Sequence, residues 1–200
     1  MAKLAVLASG NGSNFEALAL ALRDRPESAG PRHECALLIH DRRAAFAAER
    51  ARTLGVPSLY VGYFGREIRE AEAEIAAALE LAGADLAALA GFMRLLSPAF
   101  VAARRGRIVN VHPSLLPKWA GARAIERAYE AGDCEFGVTV HLVDEGMDSG
   151  PIIACASFPA ELRRPTLLDI KGRVHALEHE LYPRSVLALL DAIDAKRGEA

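Results

Sequence analysis

Cysteine is scarce: Cys35, Cys134 and Cys155 are the only three in 200 residues. No short spacing pairs them and no surrounding ligands complete a metal pattern, so neither a disulfide scaffold nor a metal site is expected. They are read as structural thiols of a reducing cytosol. A dominant charge is missing as well. With 24 basic and 26 acidic side chains, a formal net charge of -2, the chain lacks the strong positive stripe of a nucleic-acid surface. The small basic group "RRGR" at 104–107 is read as solvated helix ends. The apolar opening "MAKLAVLAS" is too short to cross a bilayer and lacks the layout of a signal peptide. No nucleic-acid or membrane partner is therefore expected, and the location is expected to be cytoplasmic. Repeats and low-complexity linkers are also absent, so one domain over 1–200 is expected.

What is present is an ordinary globular balance, 52% hydrophobic and 25% charged, and a chain long enough to bury a substantial core. "KLAVLA" (3–8) is an apolar run of strand length, followed by the turn "SGNGSN" and the helical pattern "FEALALALRD". A strand apolar on both faces suits the interior of a parallel sheet covered by helices. The alternation then repeats: strand "ECALLIH" (34–40), helix "RRAAFAAERARTLG", strand "VPSLYV", and an amphipathic helix over 66–82 with Ile68, Ile75, Leu79 and Leu81 on its apolar side. "DLAALA" (85–90) supplies the next strand. Ser97 and Pro98 open a helix as N-cap and first helical residue, and "RIVNV" (107–111) returns to the sheet.

Beyond a loop bracketed by Pro113 and Pro117 come the helix "ARAIERAYEAG", the alternating strand "GVTVHLV" (137–143), the turn "DEGMDSG" and the strand "PIIACASFP". Thr166 and Asp169 form a capping pattern for a helix through "IKGRVHALEHELY", which is expected to end or kink at Pro183 before a last helix over about 184–196. The pattern predicts an α/β fold, a Rossmann-like open, mostly parallel twisted sheet with helices on both faces and a mixed carboxyl-terminal portion. A functional division is placed near residue 105.

Ligands of such sheets bind beyond the carboxyl ends of the strands. That rule gathers the opening loop, "GFMRLL" and the Asn110–His112 segment at one cleft. In "SGNGSN" the glycines permit a tight turn whose N–H groups can face an anion at the next helix, with Ser13 and Asn14 adding donors. A merely tight strand-helix connection is the alternative. Asn110 and His112, two apart on a strand, share a face. They can stabilise a developing oxyanion and move protons, or His112 can be a satisfied buried histidine. Asp144, Glu145 and Asp148 compete as partners of His112, and spacing does not choose among them. No serine or cysteine elbow is present, so direct transfer is preferred to a covalent intermediate. Phe92, Met93, Leu95 and Leu96 around Arg94 suit an apolar slot for a flat heterocycle, with core packing as the alternative for the leucines. Trp119 is either a lid contact or a local anchor. His141 either faces the cleft or packs at a strand end. His175 and Glu178 share a helix face that either meets a ligand or faces solvent.

Five ordered segments, "ASGNGSNFEAL", "AGFMRLLSPAFV", "RIVNVHPSLLPKWAG", "GVTVHLVDEGMDSGPII" and "RVHALEHELYP", together resemble the phosphoribosylglycinamide formyltransferases of the folate-dependent formyltransferase family, over about residues 3 to 190. The resemblance implies an enzyme of de novo purine biosynthesis. It would transfer a formyl group from 10-formyltetrahydrofolate to the glycinamide amine of a phosphoribosylated substrate, without a metal. It implies Asn110, His112 and Asp148 as catalytic residues. Met93, Arg94, Leu95 and Leu96, with the 144–148 loop (Asp144, Glu145, Gly146, Met147 and Asp148), would line the folate pocket. Gly12, Ser13 and Asn14 match the phosphate segment, Glu178 a ribose contact and His175 a neighbouring ligand position. In this reading 1–105 is a phosphate-binding front half and 106–200 a catalytic and folate-binding back half. Monomer and homodimer both stay open.

The family often places a histidine near the start of the helix after Gly121, where this chain has Ala122, Arg123 and Ala124, a departure that bears on the substrate-loop contacts and leaves the Asn110, His112 and Asp148 set complete. "PKWAGA" is also similar to methionyl-tRNA formyltransferase, whose additional carboxyl-terminal domain this chain is too short to include. Formyltetrahydrofolate hydrolase is related too, but the phosphate-loop match and the missing amino-terminal regulatory domain weigh against it. A non-enzymatic binding module would not need the full catalytic set.

Overall fold

The computed structural model describes residues 1–160 and 165–198. Seven strands, β1 (Lys3–Ala8), β2 (Glu34–His40), β3 (Ser58–Tyr60), β4 (Leu86–Leu89), β5 (Ile108–His112), β6 (Glu135–Leu142) and β7 (Ile152–Pro159), form one sheet in the order β3-β2-β1-β4-β5-β6-β7. β3 through β5 pair in parallel, whereas β6 and β7 run antiparallel. The expected mixed carboxyl-terminal portion is thus a two-stranded antiparallel margin. The sheet is continuous across residue 105, because β4 pairs with β5.

Alternation along the strands explains the layers. Leu4, Val6 and Ala8 of β1 enter one core with Phe15 and Leu18 of α1 (Ser13–Arg23), Ala47 and Ala51 of α2 (Phe46–Leu54), and Val174 and Tyr182 of the last helix. Ala5 and Leu7 enter the other with Ala71, Ile75 and Leu79 of α3 (Ile68–Leu81) and with Phe100 and Val101 of α4 (Pro98–Ala103). Both faces of the central strands are covered, which is why their sequences are apolar throughout.

Three expectations need correction. On α3, Ile75 and Leu79 are buried, but Ile68 is 53% and Leu81 92% exposed. Leu81 lies two residues past Leu79, some 200° around the helix, and Ile68 is the first residue of α3, at its exposed amino end. The real stripe includes buried Glu72, whose carboxylate accepts from the Ser97 N–H at 2.6 Å and from the Ser97 hydroxyl. Second, α2 starts at Phe46 because 42–45 form a turn closed by Ala45 N–H on the Arg42 carbonyl. Third, α6 (Leu167–Gly198) is one 32-residue helix that continues through Pro183. Leu181, Tyr182, Pro183 and Val186 are all buried there, so tertiary packing holds the turn that lacks a proline N–H.

The local start signals hold. Ser97 caps α4 by accepting from Phe100 N–H, ahead of Pro98. At α6, Asp169 N–H donates to the Thr166 hydroxyl while the Asp169 carboxylate accepts from Thr166 N–H, a reciprocal cap.

Candidate active site

The order of the strands reverses at β1, whose neighbours β2 and β4 leave on opposite sides, and a crevice opens there beyond the carboxyl ends. A cleft of about 690 Å³ fills it. All the site residues expected from the sequence line this cleft, from Gly12 to Asn14, Met93 to Leu96, Asn110, His112, Asp144 to Asp148, His175 and Glu178.

Asn110 lies opposite His141 in the β5–β6 ladder, and its amide Nδ2 is 3.2 Å from His141 Nε2. His141 is almost fully buried, and its Nδ1 donates to the Leu142 carbonyl at 2.9 Å. That bond leaves Nε2 as the acceptor of the Asn110 amide. Burial lowers the His141 pKa despite the backbone bond and the nearby Asp148, in keeping with a neutral ring. Both sequence alternatives for His141 are therefore realised, since it packs at the strand and also faces the cleft.

His112 closes β5 and is buried. Its Nε2 donates to the Trp119 carbonyl at 3.0 Å, while Nδ1 lies 3.3 Å from Asp148 Oδ2. Both ring nitrogens thus face acceptors. Asp148 also accepts from Gly121 N–H at 2.8 Å and places Oδ1 3.7 Å from His141 Nε2. It has φ 52°, a left-handed conformation that is uncommon outside glycine and gathers at functional loops. The competing carboxylates have other partners: Asp144 accepts from Gly146 N–H and the Ser149 hydroxyl, and Glu145 pairs with Arg105. Trp119 is an anchor, since its indole N–H donates to Asp133 at 2.6 Å and its ring packs against the core.

The phosphate-type loop is held from behind. Gly12 adopts φ 77°, and a Cβ there would fall 2.6 Å from the Ala47 Cβ, so only glycine fits. Arg50 of α2 donates to the Asn11 carbonyl and side chain at 3.0 Å each and pairs with Glu16. The first turn of α1 has no side-chain cap, which leaves its N–H groups for an anion. Asn14 Nδ2 donates to Glu178 at 3.0 Å, and His175 Nδ1 lies 2.9 Å from the same oxygen. The hydrogen bond to Glu178 raises the His175 pKa. Asn14 Oδ1 is buried without a partner among the described residues. On the far wall Phe92 and Leu96 pack inward, whereas Met93 and Leu95 are 65% and 72% exposed. Core packing thus accounts for Leu96 and not for Leu95.

α5 (Ala124–Glu130) begins after Arg123, whose φ is 56° and whose guanidinium pairs with Glu130. Where the family often places a histidine, this chain therefore presents a helix start without a side-chain cap.

A family model described as formyl transferase matches residues 2–186. The phosphoribosylglycinamide formyltransferase of Bacillus subtilis (strain 168) is 43% identical over 191 residues, covering 95% of each chain. The trifunctional purine biosynthetic protein adenosine-3 of Drosophila melanogaster is 42% identical across 94% of this chain, which spans 14% of that longer protein. The crystal structure of glycinamide ribonucleotide transformylase 1 from Geobacillus kaustophilus superimposes with a TM-score of 0.87 at 43% identity, covering 95% of this chain and 99% of that one. Matches of this extent, joined to the cleft geometry, place the chain in the formyl transferase family, among its phosphoribosylglycinamide formyltransferases.

Proposed function

We propose that this chain transfers the formyl group of 10-formyltetrahydrofolate to the glycinamide amine of N1-(5-phospho-D-ribosyl)glycinamide, in de novo purine biosynthesis. The observation that carries this reading is the contact of His112 with Asp148 across the sheet end, beside an Asn110 amide held by His141. The ligands fit the residues present. The uncapped first turn of α1 with Gly12, Ser13 and Asn14 suits a phosphate, and the partnerless Asn14 oxygen beside Glu178 suits a sugar hydroxyl. The exposed Met93 and Leu95, facing the 144–148 loop with Met147, suit a flat heterocycle. The front half thus supplies the phosphate loop and the back half the reacting groups, with 93–96 completing the donor wall. In the reaction, the amine nitrogen bonds to the formyl carbon, the bond from that carbon to N10 of the donor breaks, and the proton lost by the amine passes to N10, giving the N-formylated glycinamide and tetrahydrofolate.

The chain's own groups act around that exchange. One Asn110 N–H engages His141, which leaves the second for the oxygen that becomes negative as the amine attacks. His112, whose Nδ1 is set against Asp148, becomes the second donor to that oxygen and a proton carrier when its Nε2 exchanges the Trp119 carbonyl for the ligand. Asp148 orients the imidazole while Gly121 N–H fixes the carboxylate. The test is mass analysis of the ribonucleotide product, native protein beside Asp148→Asn. Native protein should give the formylated product, and the variant should lose about 10² to 10⁴-fold in rate. Formate release without formylated amine would favour a hydrolase, and no turnover by folded native protein would overturn the reading.

A further inference from the structure

The segment that forms the donor wall is tied by three hydrogen bonds to the ends of two neighbouring strands. It leaves β4 at Gly91, whose carbonyl accepts from Ser9 N–H at 3.1 Å, just past β1. Met93 N–H donates to the Ser9 hydroxyl at 2.7 Å. The third tie reaches across β1 to the end of β2, where Arg94 Nε donates to Asp41 Oδ2 at 2.6 Å. The guanidinium also lies over the Tyr63 ring, 4.9 Å from its centre.

The pair is asymmetric. The Asp41 side chain is 1% exposed, against 42% for Arg94. Its second oxygen is buried without a partner among the described residues. A buried carboxylate is costly unless compensated, so the contact with Arg94 is strongly favoured over a free, swinging guanidinium. The consequence falls on the backbone between the ties, where Phe92 and Leu96 point into the core and Met93 and Leu95 point out into the cleft. What the cleft presents to a ligand there is set by where Arg94 is held.

We propose that Asp41 is a positioning residue for the formyl donor: by holding Arg94 across β1 it fixes the 91–96 wall against which the donor's heterocycle binds. This rests on the donor-pocket reading above. The test uses steady-state KM values for both substrates, calorimetric binding of the product tetrahydrofolate, and urea unfolding. Asp41→Asn is expected to raise the donor KM and the tetrahydrofolate Kd about tenfold, while the acceptor KM stays within about twofold. In an Arg94→Gln background the same change adds nothing further, because both cut one tether. If Asp41→Asn does not fold, Asp41→Glu carries the same test, since it keeps the charge and displaces Arg94 by a methylene.

A folded variant with unchanged donor KM and tetrahydrofolate binding overturns the proposal. So does equal weakening of both substrates alongside a lowered unfolding midpoint, or an additive double variant. Native protein that fails to bind tetrahydrofolate sinks the donor-pocket reading and this inference with it, an outcome distinct from native and variant binding alike.

Discussion

At the scale of single residues, the cleft sorts its histidines by their partners. His141 is buried and bonded to a backbone carbonyl, with its pKa lowered by burial, so it orients Asn110 without itself gaining charge near neutral pH. His175 goes the other way, raised above the ordinary 6.5 by its hydrogen bond to Glu178, against burial and the neighbouring Lys171. A raised folded value means that its contribution to stability is complete below about 6.5 and is lost as pH rises through the folded value. The melting-temperature difference between native protein and His175→Gln should therefore be larger at pH 6 than at pH 9. A difference constant across that range would remove the pair from the stability argument. Among the carboxylates, spacing left Asp144, Glu145 and Asp148 equivalent and only the family resemblance singled out Asp148. The physical distinction lies in a backbone conformation and in partners remote in the chain, which no local pattern carries: φ 52° at Asp148, Gly121 N–H on its carboxylate, and Arg105 on Glu145.

At the scale of elements, α6 departs most from its sequence pattern. A proline in a helix interior removes a bond and crowds the preceding turn, at a cost of roughly 3 kcal/mol, so a break at Pro183 was the local expectation. The tertiary structure overrides it through the residue before. Tyr182 is fully buried, and its hydroxyl lies 3.0 Å from both the Leu89 and the Val109 carbonyls, at the ends of β4 and beside Asn110 on β5. One proton is shared there between two carbonyls of paired strands. Tyr182→Phe should lower the unfolding free energy by about 0.5 to 1.5 kcal/mol in urea titration. A loss below about 0.5 kcal/mol would mean that the carbonyls find other donors and that packing alone carries α6 through Pro183. The strands, the capped starts of α4 and α6 and the turn after β1 were legible because each is a local signal. The course of α6 was not, because its determinant is a contact between residues 73 and 93 positions apart.

At the scale of the whole molecule, α6 joins the cleft to the opposite rim of the sheet. Its first half brings His175 and Glu178 to Asn14, and its last turns meet the amino ends of the strands. There Asp191 accepts from Arg25 at 2.7 and 2.8 Å and from His33 at 2.9 Å, Asp194 pairs with the chain's amino terminus, and Arg197 pairs with Asp85. The doubly wound layout was readable from the apolar strands, but this ionic closure was not, since Arg25 and Asp191 lie 166 residues apart. Arg25 is 8% exposed and Asp191 36%, so removing the carboxylate leaves a mostly buried guanidinium with the Ala29 and Pro31 carbonyls but without the countercharge of Asp191. The 3–5 kcal/mol loss typical of a fully buried pair, discounted for solvent screening on the Asp191 side, becomes about 2 kcal/mol for Asp191→Asn at pH 7. The bond to Arg25 holds the Asp191 pKa below the ordinary 3.8. Its stabilisation is therefore present above that value and lost as pH falls through the lowered one. Urea unfolding at pH 7 and near pH 3 should show the native-to-variant gap closing with acid, while formyl transfer at pH 7 is preserved because the pair lies at the far rim. A gap that persists in acid would assign the loss to packing, and lost transfer at full stability would show that this rim is coupled to the cleft.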